Sequence, residues 1–278
     1  MILVTGVSGQ LGYDVVKELN KRNIECLGID KDELDITDSN AVNEYIMKLS
    51  PECVVHCAAY TAVDRAEEEE EICRKVNVDG TENIVKACKE IDAKIIYIST
   101  DYVFDGKGDE PFEVDGHIEP HSIYGKTKYE GELKVQETLE KYFIVRISWV
   151  FGVNGNNFIK TMLRLGKEKE SINVVCDQIG SPTYTADLAP LLCDMALSER
   201  YGVYHATNEG FCSWAEFAEK IMKKAGLSCK VNNIQTSEYP AKAERPFNSR
   251  MSKKKLLDNG FKALPEWENA LERFLNEL

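Results

Sequence analysis

The most constraining stretch of this chain is its start, where Ile2-Leu3-Val4-Thr5 runs directly into Gly6-Val7-Ser8-Gly9-Gln10-Leu11-Gly12. The short apolar run reads as a buried strand, and Leu11, Val15, Val16 and Leu19 recur behind it at helical spacing. Between them the glycines stand three apart. Gly6 permits the tight turn, Gly9 lets the main chain approach a pyrophosphate, and Gly12 lets the helix pack closely on the strand. The amides of the loop, those of Ser8, Gln10 and Leu11 among them, then lie at the positive end of a helix dipole, which suits an anion. No lysine stands where the G-x-x-x-x-G-K-[ST] loop needs one, which disfavours an ATPase.

The alternation continues along the first half, with strands expected at 24–30, 53–57, 94–99 and 143–148 and helices at about 38–49, 68–90 and 123–141. After Trp149 the pattern loosens into helices near 157–167, 186–197, 214–225 and 266–275, with strands at 172–176 and 202–206. The pattern predicts an α/β protein: a Rossmann-type doubly wound parallel sheet over 1–150 and a smaller C-terminal α/β substrate-binding cap over 151–278, some of whose elements are free to return to the first domain. No Gly/Ser or Pro-rich linker separates the halves, so the cap is expected to pack directly on the sheet.

With 278 residues, 43% of them hydrophobic, the chain can fill a core without disulfide staples, which excludes a disordered tail or a fibre. A net charge of −13 repels a phosphate backbone, so nucleic acid is not an expected partner. Its nine cysteines are scattered, with no C-x-x-C pair, and no basic segment precedes the first strand. No apolar run approaches the ~20 residues that span a bilayer. The expectation is a soluble cytoplasmic protein with no membrane partner. Cys53, Val55 and Cys57 alternate onto one face of a strand and His56 onto the other, as core thiols do, and no metal ligands are assigned. The acidic run 67–71 is expected to be a solvated face near a helix start.

Asp30 ends the second strand, where a carboxylate accepts from the ribose hydroxyls of NAD; Lys31 beside it could instead meet the 2′-phosphate of NADP, so both cofactors stay open. Tyr124 and Lys128 stand i, i+4 at the head of the helix that follows the fourth strand, on one face. A neighbouring ammonium stabilises phenolate and brings a tyrosine within reach of proton exchange. Thr100 ends the fourth strand, at the sheet edge where ligands bind, and can hydrogen-bond the carbonyl oxygen that Tyr124 protonates. Asn156 and Asn157, in a loop entering a helix, are candidates for a nucleotide diphosphate. Arg245, beside a proline in a loop-like segment, suits bidentate phosphate recognition or, as the plainer alternative, a surface ion pair.

These features, with Leu34-Asp35-Ile36-Thr37-Asp38, Cys57-Ala58-Ala59-Tyr60-Thr61-Ala62-Val63-Asp64, Ser99-Thr100-Asp101-Tyr102-Val103-Phe104-Asp105-Gly106 and Arg245-Pro246-x-Asn248-Ser249, resemble the dTDP-4-dehydrorhamnose reductases, extended short-chain dehydrogenase/reductases. The resemblance implies reduction of the 4-keto group of a dTDP-linked keto-deoxysugar by NADPH or NADH. It makes Tyr124 the general acid, Lys128 its pKa-lowering partner and cofactor ribose ligand, and Thr100 a donor to the substrate oxygen. It further implies that Asp35 and Ile36 lie along the adenine, that Ala58, Ala59 and Tyr60 line the pyrophosphate and nicotinamide side, and that Thr61 and Val63 lie near the mouth. Asp101, Val103 and Phe104 would border the sugar, with Trp149 as a flat apolar face; for Phe104 and Trp149 core packing is an equal alternative. A homodimer is left open, with no surface assigned to it. Thr100-Asp101-Tyr102 departs from the Thr-Asp-Glu of the related dehydratases, which favours plain reduction over elimination. A nucleotide-sugar 4-epimerase and a non-catalytic subunit similar to the regulatory subunit of methionine adenosyltransferase remain the alternatives.

Overall fold

The computed structural model describes residues 1–278. Its elements follow in order as β1 (Ile2–Thr5), α1 (Gln10–Lys21), β2 (Cys26–Ile29), α2 (Ser39–Leu49), β3 (Cys53–His56), α3 (Val63–Ala66), α4 (Glu70–Arg74), α5 (Gly80–Glu90), β4 (Lys94–Thr100), α6 (Ile123–Thr138) and β5 (Tyr142–Ile147). The second half adds β6 (Val150–Phe151), α7 (Phe158–Glu168), β7 (Ser171–Val175), β8 (Ile179–Gly180), β9 (Thr183–Tyr184), α8 (Thr185–Ala196) and β10 (Gly202–His205). It closes with β11 (Cys212–Ser213), α9 (Trp214–Lys224), β12 (Lys230–Ile234), β13 (Asn248–Ser249), α10 (Lys254–Asp258) and α11 (Trp267–Glu277).

Six strands form one parallel sheet in the order β10-β5-β4-β3-β1-β2. All of β1 and β3 is buried because helices cover both faces, which is why their sequences run apolar without alternation. Leu11, Val15 and Leu19 of α1 and Leu188 and Leu192 of α8 fill one face. Val42 and Ile46 of α2, Ile84 and Val85 of α5 and Val135 of α6 fill the other. Cys53 and Val55 face the first layer and Val54 the second. A third core, around Phe151, Ile159, Phe217 and Phe274, belongs to the elements that stand above the strand ends.

Two features go beyond the sequence pattern. The helix expected over 68–90 runs unbroken from Glu70 to Glu90, but a π-helical turn at Lys75–Asp79 joins α4 to α5 within it, and the separate short helix α3 precedes it. The late strand β10 lies beside β5 in the first sheet, and α8 packs on α1, so the chain crosses back after entering the upper layer. The strands β6, β8, β9, β11 and β13 have two residues each, too short to leave a periodic signal. No helix is long and apolar enough to cross a membrane.

Chain reversal between β1 and β3 places a crevice at the carboxyl ends of these strands, the position where doubly wound sheets receive ligands.

Candidate active site

The crevice is a cavity of about 920 Å³, within the range that small-molecule sites occupy. Gly6, Ser8, Gly9, Gln10, Leu11 and Gly12 form one wall. Gly6 has φ 71°, and a Cβ there would lie 2.7 Å from the Ala58 nitrogen; a Cβ on Gly12 would overlap the Gly6 carbonyl oxygen. The loop is therefore wedged between β3 and its own helix, and only glycine fits. Gly9 precedes α1 at the cap position and offers no side chain, so the first amides of the helix have no side-chain acceptor and suit a pyrophosphate. Gly12→Val is expected to weaken nicotinamide-nucleotide binding by at least about tenfold, read by fluorescence titration, since the added bulk must displace the loop main chain. Unchanged affinity would mean that the loop is not the cradle.

Asp30, Lys31, Asp35 and Ile36 line the end of the cleft near β2. The Asp30 carboxylate accepts from the amides of Ser8 and Lys31, both at 2.7 Å. Burial opposes its charge, but these bonds outweigh it and hold its pKa below the usual carboxylate range. Lys75, which the sequence did not single out, comes from the π-turn to line the same cavity; neither Lys31 nor Lys75 forms an ion pair.

Ala58, Ala59, Tyr60, Thr61 and Val63 line the wall that follows β3. The buried Asn77 side chain, also on the π-turn, accepts from the Tyr60 amide at 2.8 Å and donates to the Tyr60 carbonyl and to Thr127. One side chain thereby ties this wall to α6, a role for a π-turn with no sequence signal.

Thr100 and Asp101, Tyr124 and Lys128, and Trp149 and Asn156 complete the lining of the cleft. α6 is set by its Ser122 N-cap, whose hydroxyl accepts from the Gly125 amide, and by Glu67, which accepts from the Ile123 amide at 2.8 Å. The acidic run is thus more than a solvated face: Glu67 caps α6 and Glu69 accepts from the Tyr60 hydroxyl. Tyr124, Lys128 and Glu132 succeed one another at i, i+4 and i+8. Glu132 is fully buried and pairs with the buried Arg146 at 2.7 Å, and Ser99 also donates to it.

The electrostatics differ from the sequence expectation. Burial raises the Tyr124 hydroxyl well above 10, with Thr100 as the main counterweight. Burial also pushes the Lys128 ammonium down to about 7, against the opposing field of Glu132, while its Nζ sits 4.1 Å from the Tyr97 ring centroid. At neutral pH burial thus works against both the Lys128 charge and a phenolate on Tyr124.

Four sequence-predicted residues lie elsewhere. Val103 and Phe104 do not border the cleft: a 3₁₀ turn at Asp101–Val103 turns them inward, where they pack with Met251 and Phe104 stacks on Phe112 at 4.4 Å. Asn157 caps α7, accepting from the Lys160 amide and donating to Gln10 and to the Gly152 carbonyl. Arg245 stands outside the main cavity, paired with Asp64 at 2.6 Å and donating to the Tyr102 hydroxyl at 3.1 Å. Trp149 lines the cleft and is also packed, stacked on Trp214 at 3.7 Å with φ 49°, a conformation bulky residues rarely adopt. Asn154, absent from the sequence reading, donates to the Ser8 carbonyl at 2.7 Å and fastens the upper layer to the glycine loop.

A glycine cradle, a carboxylate at the end of β2 and a Thr/Tyr/Lys group in one cavity together fit a nicotinamide dinucleotide beside a second ligand. The model of the RmlD substrate binding domain family matches residues 1–278. The chain belongs to this family. A Bacillus subtilis relative, the spore coat polysaccharide biosynthesis protein SpsK, is 39% identical, covering 99% of this chain and 97% of that one. The dTDP-4-dehydrorhamnose reductase of Salmonella typhimurium is 38% identical, covering 100% and 97%. Among solved structures, dTDP-4-dehydrorhamnose reductase from Bacillus anthracis in complex with NADP has a TM-score of 0.97 and 45% identity, covering 100% of this chain and 99% of that one. In this RmlD family member, both the cradle and the Thr/Tyr/Lys group are thus built by one chain.

Proposed function

We propose that this protein reduces the 4-keto group of dTDP-4-dehydro-L-rhamnose to give dTDP-L-rhamnose, using NADPH or NADH. The observation that carries this reading is the convergence of Thr100, Tyr124 and Lys128 on the cavity that the glycine loop also walls. The reduced nicotinamide supplies the hydride when bound. Tyr124 donates its hydroxyl proton to the oxygen formed at C4, and Lys128 holds the cofactor ribose and steadies the phenolate left behind. The oxidised ring brings a positive charge that adds to that of Lys128. Trp149 presents a flat face to the sugar, and the residues of 151–278 outside α8 and β10 act as the cap over it. Asn156 and, after release from Asp64, Arg245 are the side chains that meet the diphosphate. Every group in this reading lies in one chain, so a homodimer is not required; the work is cytoplasmic, without nucleic acid.

The test is loss of reduced-nicotinamide absorbance on mixing the protein with dTDP-4-dehydro-L-rhamnose and either cofactor. Stoichiometric oxidation is expected, and it also distinguishes a reductase from a 4-epimerase, which returns its hydride to the sugar. A folded protein that binds nucleotide and oxidises neither cofactor would overturn the reading.

Cofactor choice follows from the end near β2. Asp30 is occupied with two amides, whereas Lys31 and Lys75 are unpaired cations on the cavity wall. The double replacement Lys31→Ala/Lys75→Ala is expected to shift the ratio of kcat/KM for NADPH over NADH by about tenfold toward NADH, since a charge-assisted bond contributes about 1.5–3 kcal/mol. A ratio that does not move would assign cofactor choice to other groups.

A further inference from the structure

Asp101 is only 3% exposed, yet it lines the reaction cavity and neighbours the two groups that would meet the keto oxygen. Its Oδ1 accepts from the Thr100 hydroxyl at 2.9 Å. Its Oδ2 accepts from the Ser249 hydroxyl on β13, 148 residues further along the chain. Thr100 Oγ1 in turn accepts from the Tyr102 amide at 3.3 Å. A hydroxyl carries one hydrogen, and a carboxylate can only accept. With Asp101 ionised, the single Thr100 hydrogen is therefore committed to Asp101, and Thr100 offers the cavity lone pairs alone. In that state it can receive a bond from Tyr124 but cannot donate to a substrate oxygen.

We propose that Asp101 is a positioning residue whose protonation reverses the Thr100–Asp101 hydrogen bond and frees the Thr100 hydrogen for the keto oxygen. The proton comes from solvent and stays on the carboxyl group, which then donates to Thr100 Oγ1; no bond to carbon changes. The site then presents two donors to the C4 oxygen, Tyr124 and Thr100, where the ionised form presents one. Burial makes the change accessible: desolvation raises the Asp101 carboxyl to about 6, although the Ser249 and Thr100 hydroxyls and the backbone amides of Asp101 and Tyr102 all stabilise its charge. The other ionisable groups around it are Tyr102 and Tyr124, both raised by burial, with Arg245 reached only through the Tyr102 hydroxyl. No cation pairs with Asp101 directly.

This inference rests on the reductase reading and deepens it. Turnover measured by cofactor oxidation at saturating substrate is expected to rise at least about tenfold as pH falls from 8 to 5, since one donor to a developing oxyanion commonly changes kcat by about 10²–10³. Part of that rise comes from Lys128 gaining charge through about pH 7, so the variants isolate the share of Asp101. Asp101→Asn can donate permanently to Thr100 through its amide and accept from Ser249. It should lose the limb near pH 6 and keep the one near pH 7. Ser249→Ala removes a bond that stabilises the charged carboxylate, so it should move the lower limb to higher pH without touching the reacting groups. Rescue by Ser249→Thr, which restores the hydroxyl, should return the limb to its original position. A limb near pH 6 that persists in Asp101→Asn, or that stays in place in Ser249→Ala, overturns the proposal. Wild-type protein that oxidises neither cofactor at any pH would instead defeat the reductase reading.

Discussion

Tyr124→Phe is expected to lower kcat by about 10²–10⁴-fold, the usual contribution of a positioned general acid, while nicotinamide-nucleotide affinity changes little. The hydroxyl is the only atom lost, and the ring keeps its edge-on contact with Tyr102 at 5.5 Å. Burial raises the Tyr124 pKa, so this residue starts as the protonated acid that ketone reduction requires. A tyrosine held as phenolate would suit the reverse oxidation. Steady-state turnover with a parallel binding titration checks the expectation. Turnover within a few-fold of the parent would remove Tyr124 from the proton-donating role and turn attention to Lys128.

The second large effect lies beneath the reacting groups. Glu132 and Arg146 are 0% and 3% exposed and meet through two bonds, at 2.9 and 2.7 Å, while Arg146 also donates to the Val114 carbonyl and Ser99 donates to Glu132. Removing one partner from such a pair leaves an uncompensated buried charge and costs about 3–5 kcal/mol. Glu132→Ala is therefore expected to lower Tm by roughly 10 °C, at about 2–4 °C per kcal/mol for a chain of this size. It also removes the negative field that supports the Lys128 charge, so turnover at neutral pH should fall even in the folded fraction. The double replacement Glu132→Ala/Arg146→Met should recover much of the lost stability without recovering the Lys128 charge. Thermal unfolding of the parent and the two variants decides this. A double variant as unstable as the single would show that packing, not the unpaired charge, sets the cost.

What the sequence by itself determined is what local spacing encodes. Three glycines behind a short apolar run specify a strand, a loop and an uncapped helix, because each glycine answers a contact within about a dozen residues or against the adjacent strand. Tyr124 and Lys128 at i, i+4 share a helix face whatever that face meets. Asp30 follows from the length of one βαβ unit. The helix expected from about 38 also starts locally, since the Asp38 carboxylate accepts from amides only two and three residues ahead.

The tertiary structure decided everything that depends on what stands opposite. Asn157 carried its polarity into a cap and into Gln10 rather than into the cleft, and the 3₁₀ turn sent Val103 and Phe104 into a small core with Met251. Asn77 became a brace between two walls only because a π-turn rotated it there. β10 joined the first sheet because the edge of β5 was open to it, a pairing that no local pattern records. Above all, burial worked against the charges of Lys128 and of Asp101, whose carboxylate accepts from Ser249 and Thr100, since burial sets the energy of a charge and is a property of the whole fold. Short-range periodicity fixes which way a side chain points along its own element; the residues it meets come from elsewhere in the chain, and they set its chemistry.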